Sequence, residues 1–240
     1  MSTKIEWADE SINPQGWGCW GPGGTPENPQ QCWYCYLKRL QKWPGSKCEL
    51  CQQLIPHWHP ERLDIPKRWR KPRRIFWGST SDLLHPYTPK IQIWAVRAAI
   101  RDTPQHTHIL CTKNPARYRE FNPWPDNCIL LTTCEDQQTA DERIPELLQA
   151  EARIRGVSHE PLLSKIDVRR WVGDYMTSPG PGQRTPSWAI IGGMTGPGAV
   201  MPDPYWVSGL FEQYRAAGVP VFLKDNLYLP EKIQEWPCLT

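Results

Sequence analysis

The chain has 240 residues, and 28 Lys and Arg against 25 Asp and Glu give a formal net charge of +3. This length suits one large α/β domain or a single αβ barrel and leaves little room for two complete domains. No run reaches the ~18 consecutive apolar residues of a membrane span, and residues 1–7 lack the apolar core of a signal peptide. The composition predicts a cytoplasmic protein without a membrane segment, while the small net charge decides nothing about nucleic-acid binding.

Short apolar runs alternate with amphipathic segments from about residue 74 onward, which is typical of successive strand–helix units. We predict strands at 4–7, 74–78, 107–112, 128–133, 152–158, 188–192 and 221–223. Helices are predicted at 34–42, 89–102, 137–148 and 204–217. The pattern predicts one α/β domain over residues 1–240, a partial (β/α) barrel of about six or seven parallel strands.

Polar side chains follow most of the predicted strands, at the end where parallel αβ folds carry their ligand site. These strand-end segments are 79–82, 112–114, 133–135, 158–160, 192–196 and 224–226. Such residues can simply cap the next helix, but capping does not require Lys113, Glu135, Glu160 or Lys224. We therefore predict one shared pocket, with Cys134, Glu135, Glu160 and Lys224 as candidates for catalytic roles.

The chain has nine cysteines, which in a reducing compartment indicate metal or cluster ligands where they are grouped. Cys111 and Cys128 fall within predicted strands, and we expect them to be buried in the core. Cys134 ends a strand and is expected to face the pocket. Cys238 has no predicted role. The remaining five precede the barrel.

Two metal chemistries are open for these five cysteines. The pairs Cys32-Trp-Tyr-Cys35 and Cys48-Glu-Leu-Cys51 have a spacing close to that of a zinc ribbon. Alternatively, Cys19 joins the first pair and three thiolates hold a [4Fe–4S] cluster with one open iron. A zinc ribbon is normally a small autonomous module, so cysteines that precede a barrel with polar strand ends favour the cluster.

Blocks spread from residue 5 to residue 226 resemble a known family. They are Ile5-Glu-Trp7, Asn13-Pro14, Gly18-Cys19, Cys32-Trp-Tyr-Cys35-Tyr36, His59-Pro-Glu-Arg-Leu63, Lys71-Pro-Arg-Arg-Ile-Phe76, Ser79-Thr-Ser-Asp-Leu83, Thr112-Lys113, His159-Glu-Pro-Leu-Leu163, Ile191-Gly-Gly193 and Phe222-Leu-Lys224. Together they resemble the signature blocks of phage-encoded, three-cysteine radical SAM proteins, which are distantly related to spore photoproduct lyase.

The resemblance implies a [4Fe–4S] cluster that cleaves S-adenosylmethionine to a 5′-deoxyadenosyl radical, with a one-electron reductant such as flavodoxin as partner. Cys19, Cys32 and Cys35 would be the cluster ligands, in a cysteine-rich loop with an insertion at about 16–60. Tyr34 matches the aromatic residue that lies near the adenine.

Strand-end residues complete the implied cofactor site. In the order of their expected partners they are Ser79, Ser81 and Asp82 for the methionine ammonium, Thr112, Lys113 or Lys224 for a carboxylate, Glu135 or Glu160 for the ribose or the substrate, and the glycine block Gly192 and Gly193. The chain departs from the family in two places. Twelve residues separate Cys19 from Cys32 where three are common, and Met194 replaces an acidic residue of the glycine block.

A second metal site is predicted just downstream. Cys48 and Cys51 are followed by His57 and His59, giving C-x2-C-x5-H-x-H, a spacing that suits zinc and also permits a second cluster. The alternative is that the histidine block is structural and the thiols are incidental.

A basic run over residues 67–74 places six Lys and Arg around Trp69. Such a run can neutralise phosphates and stack a base, or it can be a solvated lead-in to a strand. With the resemblance, it favours an enzyme acting on a nucleobase in phage DNA hypermodification, in the host cytoplasm, for example isomerising an amino-acid-decorated thymidine. The alternatives are a zinc-dependent, non-catalytic nucleic-acid-binding protein and a radical SAM lyase acting on a DNA lesion.

Overall fold

The computed structural model describes residues 3–39, 48–173, 184–196 and 198–238. In these residues a curled sheet of seven parallel strands, in sequential order, forms a half-barrel. The strands are β1 (Glu10–Ile12), β2 (Arg74–Trp77), β3 (Thr107–Thr112), β4 (Cys128–Thr133), β5 (Ile154–His159), β6 (Trp188–Ile191) and β7 (Val221–Leu223). The predicted partial (β/α) barrel is confirmed.

Helices connect the strands and cover the convex face of the sheet. The α-helices are α1 (Glu49–Gln52), α2 (Lys90–Arg101), α3 (Gln137–Leu148), α4 (Arg169–Val172) and α5 (Pro204–Ala216). Short 3-10 helices lie at Tyr36–Arg39, Pro60–Asp64, Pro66–Arg68, Pro115–Phe121 and Asp225–Leu227. No helix among the described residues has the length and apolar character that crossing a bilayer requires.

Alternation along the strands divides the apolar side chains between two faces. In β3, Leu110 packs with the helices in the larger cluster, whereas Ile109 belongs to a smaller cluster that contains no helical residue and fills the concave side. The C-terminal segment closes the amino-terminal end of the strands, because the Trp236 ring lies 4.7 Å from the ring of Trp188, the first residue of β6. The carboxyl ends of the strands form the opposite end of the half-barrel, which we call the mouth.

The prediction of a strand at 4–7 is wrong. The first strand forms at Glu10–Ile12, where it pairs with β2, and the preceding Trp7 packs its ring 4.6 Å from Phe76. The predicted helix at 34–42 is a 3-10 turn at Tyr36–Arg39, and residues 40–42 lie outside the described residues. The predicted domain over 1–240 likewise includes residues 1–2, 40–47, 174–183, 197 and 239–240, which are not described.

Candidate functional site

The segment that carries Cys19 is fixed to the end of β2. The backbone N–H of Gly18 donates to the Thr80 carbonyl (2.9 Å), and the Thr80 hydroxyl donates to the Gly16 carbonyl (2.8 Å). Two residues beyond Cys19, the Gly21 carbonyl accepts a hydrogen bond from the His85 ring (2.9 Å). Cys19 is thereby held at the mouth.

The twelve-residue insertion between Cys19 and Cys32 closes on itself. The N–H of Gln30 donates to the Trp20 carbonyl (2.6 Å), so the two ends of the insertion meet. Gly21 has a φ of +81°, and a Cβ at this position would lie 1.8 Å from the Gln30 carbonyl oxygen. Only glycine permits this approach. The insertion therefore does not separate the cysteines in space.

Cys19, Cys32 and Cys35 share one electrostatic environment. Burial, together with the nearby charges of Asp82, Cys35 and Cys32, raises the pKa of Cys19 to about 12. Burial also raises the pKa of Cys35, and Cys32 adds to this effect. The N–H of Cys35 donates to the Cys32 carbonyl (3.0 Å), so the pair lies on a tight turn. The three thiols thus interact electrostatically although twelve residues separate Cys19 from Cys32 in sequence.

Asp82 ties the end of β2 to the end of β3. Its carboxylate accepts from the Thr112 hydroxyl (2.6 Å), the Lys113 N–H (3.1 Å) and the Asn114 amide (2.9 Å). It also accepts from the Leu84 N–H (3.1 Å). Asp82 and Thr112 were both predicted to bind the cofactor, but their side chains hydrogen-bond to each other. This arrangement favours a role in positioning the ends of β2 and β3.

Glu135 is the centre of a buried charge network that reaches the cysteine loop. Its carboxylate contacts the Lys113 ammonium, accepts from the Tyr34 hydroxyl and pairs with Arg143 (2.7 Å). Burial alone would raise the pKa of Glu135, but Lys113 and Arg143 outweigh burial and hold the pKa below its ordinary value. Tyr34, two residues from Cys32 in the same loop, is therefore anchored to the ends of β3 and β4.

A second charged cluster lies at the ends of β5 and β7. The Lys224 ammonium contacts the Glu160 carboxylate and lies 3.9 Å from Glu6. Gly192 leaves room for this pair, because a Cβ there would lie 2.9 Å from Lys224 Cδ and 3.3 Å from Glu160 Cγ. Gly193 exchanges hydrogen bonds with the Asn226 amide through both its N–H (3.1 Å) and its carbonyl (2.8 Å). Glu6 and Asn226 were not predicted as site residues.

The two predicted serines differ. The Ser79 hydroxyl bonds to Ser11 (2.5 Å) and donates to Asn13 (3.1 Å). The Ser81 hydroxyl is shielded from solvent and has no hydrogen-bond partner among the described residues. Ser81 is thus the serine with an unused hydrogen-bonding group at the mouth.

The cysteines of the strands do not follow the predictions exactly. Cys128 is fully buried as expected. Cys111 is instead partly exposed on the concave side, where its sulfur lies 3.3 Å from the Thr133 hydroxyl. Cys134 is fully buried in the cluster between sheet and helices, 3.6 Å from the Thr139 carbonyl, so the structure does not bring it into the pocket. Strand alternation explains the position of Cys111, because it shares its face of β3 with Ile109.

Tyr36 was missed as a candidate. Its pKa is raised by burial and by the charges of Cys35, Glu160 and Cys111, so its hydroxyl lies among these groups. The residue as a whole is 39% exposed. The signal that could have found it is its position directly after Cys35.

Cys48, Cys51, His57 and His59 form a group that could hold a metal ion, with donor atoms all within 4.8 Å of one another. Cys51 is fully buried, and the other three are half-buried. Among the described residues, no other group of three or more His, Cys, Asp or Glu side chains has its donor atoms this close together.

The basic run lies at the other end of the half-barrel from the mouth. Arg74 is the first residue of β2, where it pairs with Asp9 (2.7 Å), and Arg73 pairs with Glu10 (2.5 Å). The Trp69 ring packs under the Arg73 guanidinium at 5.0 Å. The other four basic side chains of the run are exposed: Lys67, Arg68, Arg70 and Lys71. The run therefore does not line the predicted pocket.

Comparison with known proteins places the chain in a family without assigning its activity. No curated protein and no solved structure matches it. A family model described as Protein of unknown function (DUF5131) matches residues 2–234, nearly the whole chain. The half-barrel with its cysteine loop and four-residue Cys/His group thus belongs to the DUF5131 family.

Proposed function

We propose that the protein is a radical SAM enzyme. The observation that carries this proposal is the convergence of Cys19, Cys32 and Cys35 at the polar mouth of a half-barrel, despite the twelve residues between the first two. Three thiolates fit a [4Fe–4S] cluster with one open iron. When bound, the reduced cluster supplies the electron that cleaves S-adenosylmethionine.

Other residues of the mouth support a bound cofactor. The shielded Ser81 hydroxyl has no partner among the described residues and would donate to a polar group of the ligand. Cys111, which packs against the concave apolar cluster, and Tyr36, which follows Cys35, both keep partly exposed surface. We assign Asp82 and Glu135 to positioning, because their hydrogen bonds hold the ends of β3 and the Tyr34 loop.

The charged pair Lys224 and Glu160 is the candidate for contact with substrate. Lys224 is flanked by the carboxylates of Glu160 and Glu6, so an incoming carboxylate would replace one of these partners, and an incoming ammonium would bind the acidic pair. Both groups occur in an amino acid. This arrangement suits an amino-acid-decorated nucleobase.

Exposed aromatic side chains support a nucleobase substrate. Trp33, between the cluster cysteines, is 65% exposed, and Tyr228, just beyond β7, is 82% exposed. A base flipped out of a duplex stacks on such rings. We propose phage DNA hypermodification, such as isomerisation of an amino-acid-decorated thymidine, with a reductant of the flavodoxin type in the host cytoplasm.

The test is anaerobic reconstitution followed by reaction with reductant, S-adenosylmethionine and phage DNA. We expect about four irons per chain, a brown and oxygen-sensitive protein, 5′-deoxyadenosine, and altered nucleosides by mass spectrometry. Cys32→Ala is the matched control and should form none of these. Failure to produce 5′-deoxyadenosine while the cluster is intact would refute the proposal.

A second candidate is zinc-dependent nucleic-acid binding without catalysis, favoured by the Cys48, Cys51, His57 and His59 group. Such a protein would be colourless, and its DNA affinity would fall steeply with salt. Arg70→Ala with Lys71→Ala should weaken that affinity. A radical SAM lyase acting on a DNA lesion shares the cluster and is separated by screening damaged against hypermodified DNA.

A further inference from the structure

Three sulfur–nitrogen distances in the Cys48 group are close to those around a single tetrahedral ion. His57 Nε2 lies 3.2 Å from the Cys48 sulfur and 3.6 Å from the Cys51 sulfur, and His59 Nε2 lies 3.6 Å from Cys51. A tetrahedral Zn²⁺ with ordinary bond lengths places sulfur and nitrogen ligands about 3.5 Å apart. In a Rieske-type cluster, thiolates and imidazoles bind different irons, so they would not interleave in this way.

In the neutral rings of His57 and His59, the outer hydrogen bonds place the hydrogen on Nδ1, so Nε2 keeps its lone pair. His57 Nδ1 lies 2.7 Å from the Ile55 carbonyl oxygen, which can only accept, so this nitrogen carries the hydrogen. His59 Nδ1 donates in the same way to the Glu61 carboxylate (2.8 Å). These are the outer partners that orient metal-binding histidines.

The two Nε2 atoms nevertheless lie 2.7 Å apart. Their lone pairs need a positive centre between them. A shared proton would serve only the two imidazoles, whereas a metal ion is shared with both sulfurs as well. Two sulfur and two nitrogen donors in tetrahedral arrangement are typical of zinc.

The segment that contains these ligands packs directly on the segment that carries Cys19. A Cβ on Gly16 would lie 2.4 Å from the His57 ring, and a Cβ on Gly18 would lie 2.4 Å from the Leu54 carbonyl oxygen. The N–H of His57 donates to Gln15 (3.2 Å), and the N–H of His59 donates to Pro14 (2.6 Å). Both ligands therefore hold residues 14–18 through their own backbone.

We propose that Cys48, Cys51, His57 and His59 bind one Zn²⁺, and that this ion fixes residues 14–18 so that Cys19 is presented at the mouth. The zinc site is structural, because four protein ligands complete its coordination. The effect on the cluster rests on the proposed function, whereas the effect on residues 14–18 does not.

The first measurement is the metal content of the purified chain. We expect one zinc per chain in the wild type, in Cys19→Ala and in the exposed-thiol control Cys238→Ser, and none in Cys51→Ser or His59→Gln. Because Cys51 is buried, its variant can unfold, so Glu61→Ala serves as a milder change that should weaken zinc affinity by about 10- to 100-fold. A wild-type chain that binds no zinc on titration with Zn²⁺, or a Cys19→Ala chain that loses it, overturns the assignment.

The second measurement is hydrogen exchange of the wild-type protein before and after chelation. Exchange in residues 14–18 should increase on zinc removal and return on adding Zn²⁺, while β3 and β4 stay protected. Unchanged hydrogen exchange in residues 14–18 would refute the proposal that the zinc ion fixes this segment. If zinc and exchange behave as expected but no iron binds, the inference stands and the proposed function fails. If iron binds equally well without zinc, the link to Cys19 fails.

Discussion

The two cysteine regions of the molecule are held together in different ways. The donors of Cys48, Cys51, His57 and His59 lie within twelve residues of sequence, and their outer partners Ile55 and Glu61 belong to the same stretch. The cluster loop depends on distant residues. Cys19 is held through Thr80 and His85, and Tyr34 through Glu135.

This contrast shows which sites a sequence reveals. A site whose ligands and supports are local can be recognised from spacing alone. A site whose supports come from successive strand ends requires the sheet to be formed first. The following changes, from the largest expected effect to the smallest, test the independence of the two regions.

Removing one cluster ligand should abolish iron binding and leave zinc binding unchanged. In Cys32→Ala we expect iron to fall from about four per chain to none, while zinc remains at the level of the wild type. Metal analysis of the two proteins, prepared in parallel, measures both. Loss of both metals together would show that the two regions are one site.

Glu135→Ala should be the most destabilising substitution at the mouth. It removes the only carboxylate that pairs with the half-buried cations Lys113 and Arg143 among the described residues and releases Tyr34, so the free energy of unfolding should fall by about 3–5 kcal/mol. Denaturant titration measures the change, with the exposed-pair variant Asp64→Ala as a control that changes little. Zinc content should be unaffected, and a decrease would argue against independent regions.

Acid should destabilise the barrel beneath both regions. Burial lowers the pKa of His108 and of His159 from 6.5 to about 4, so the unfolded chain takes up protons that the folded chain resists. Stability is full above pH 6.5 and is lost as the pH falls toward 4, by on the order of 3 kcal/mol for each histidine. Denaturant titrations of chelated protein across this range measure it, and a flat profile would contradict the assignment.

Metal binding by the two regions should therefore be compared above pH 6.5, where the fold is most stable. At His159 the neutral ring is held by the Cys134 carbonyl (2.9 Å) and the Tyr214 hydroxyl (2.8 Å). Cys134 and Tyr214 both belong to the apolar cluster between sheet and helices.

Gly16→Ala should produce the smallest of these effects. The residue has a φ of +68°, and the added Cβ would meet the His57 ring, so we expect a loss of about 1–3 kcal/mol with a weaker hold on zinc. Gly209→Ala in α5 is the matched control, because nothing lies within 4 Å of its Cβ position. It should be neutral or slightly stabilising. Equal zinc affinity in both variants would show that Gly16 does not support the site.

Much of the fold could be predicted from the sequence. The strands β2 to β7 are apolar runs buried on both faces, and five of them lie within one residue of their predicted bounds, while β5 ends one residue later and begins two later. In residues 4–7 the apolar Ile5 and Trp7 alternate with charged residues, but Trp7 packs on Phe76, and the backbone pairing with β2 starts at Glu10. An apolar pattern in the sequence indicates that a segment is buried, but it does not show which strand the segment pairs with.

The site could be predicted only in part. Strand-end position correctly gathered Asp82, Lys113 and Glu135, because parallel strands end on one edge. It could not show that these residues bond to one another, since those contacts span 22 to 31 residues of sequence. For the same reason, the sequence did not indicate that Glu6 lies beside Lys224.

The closed insertion between Cys19 and Cys32 has a consequence for protein engineering. The Trp20–Gln30 hydrogen bond joins its two ends, and residues 22–23 and 26–30 are exposed. Changes of length at the tip of such a loop are absorbed locally. A fluorescent label or affinity peptide grafted after Pro26 would therefore sit beside the mouth without altering the distance between the thiols, and it would report directly on what approaches them.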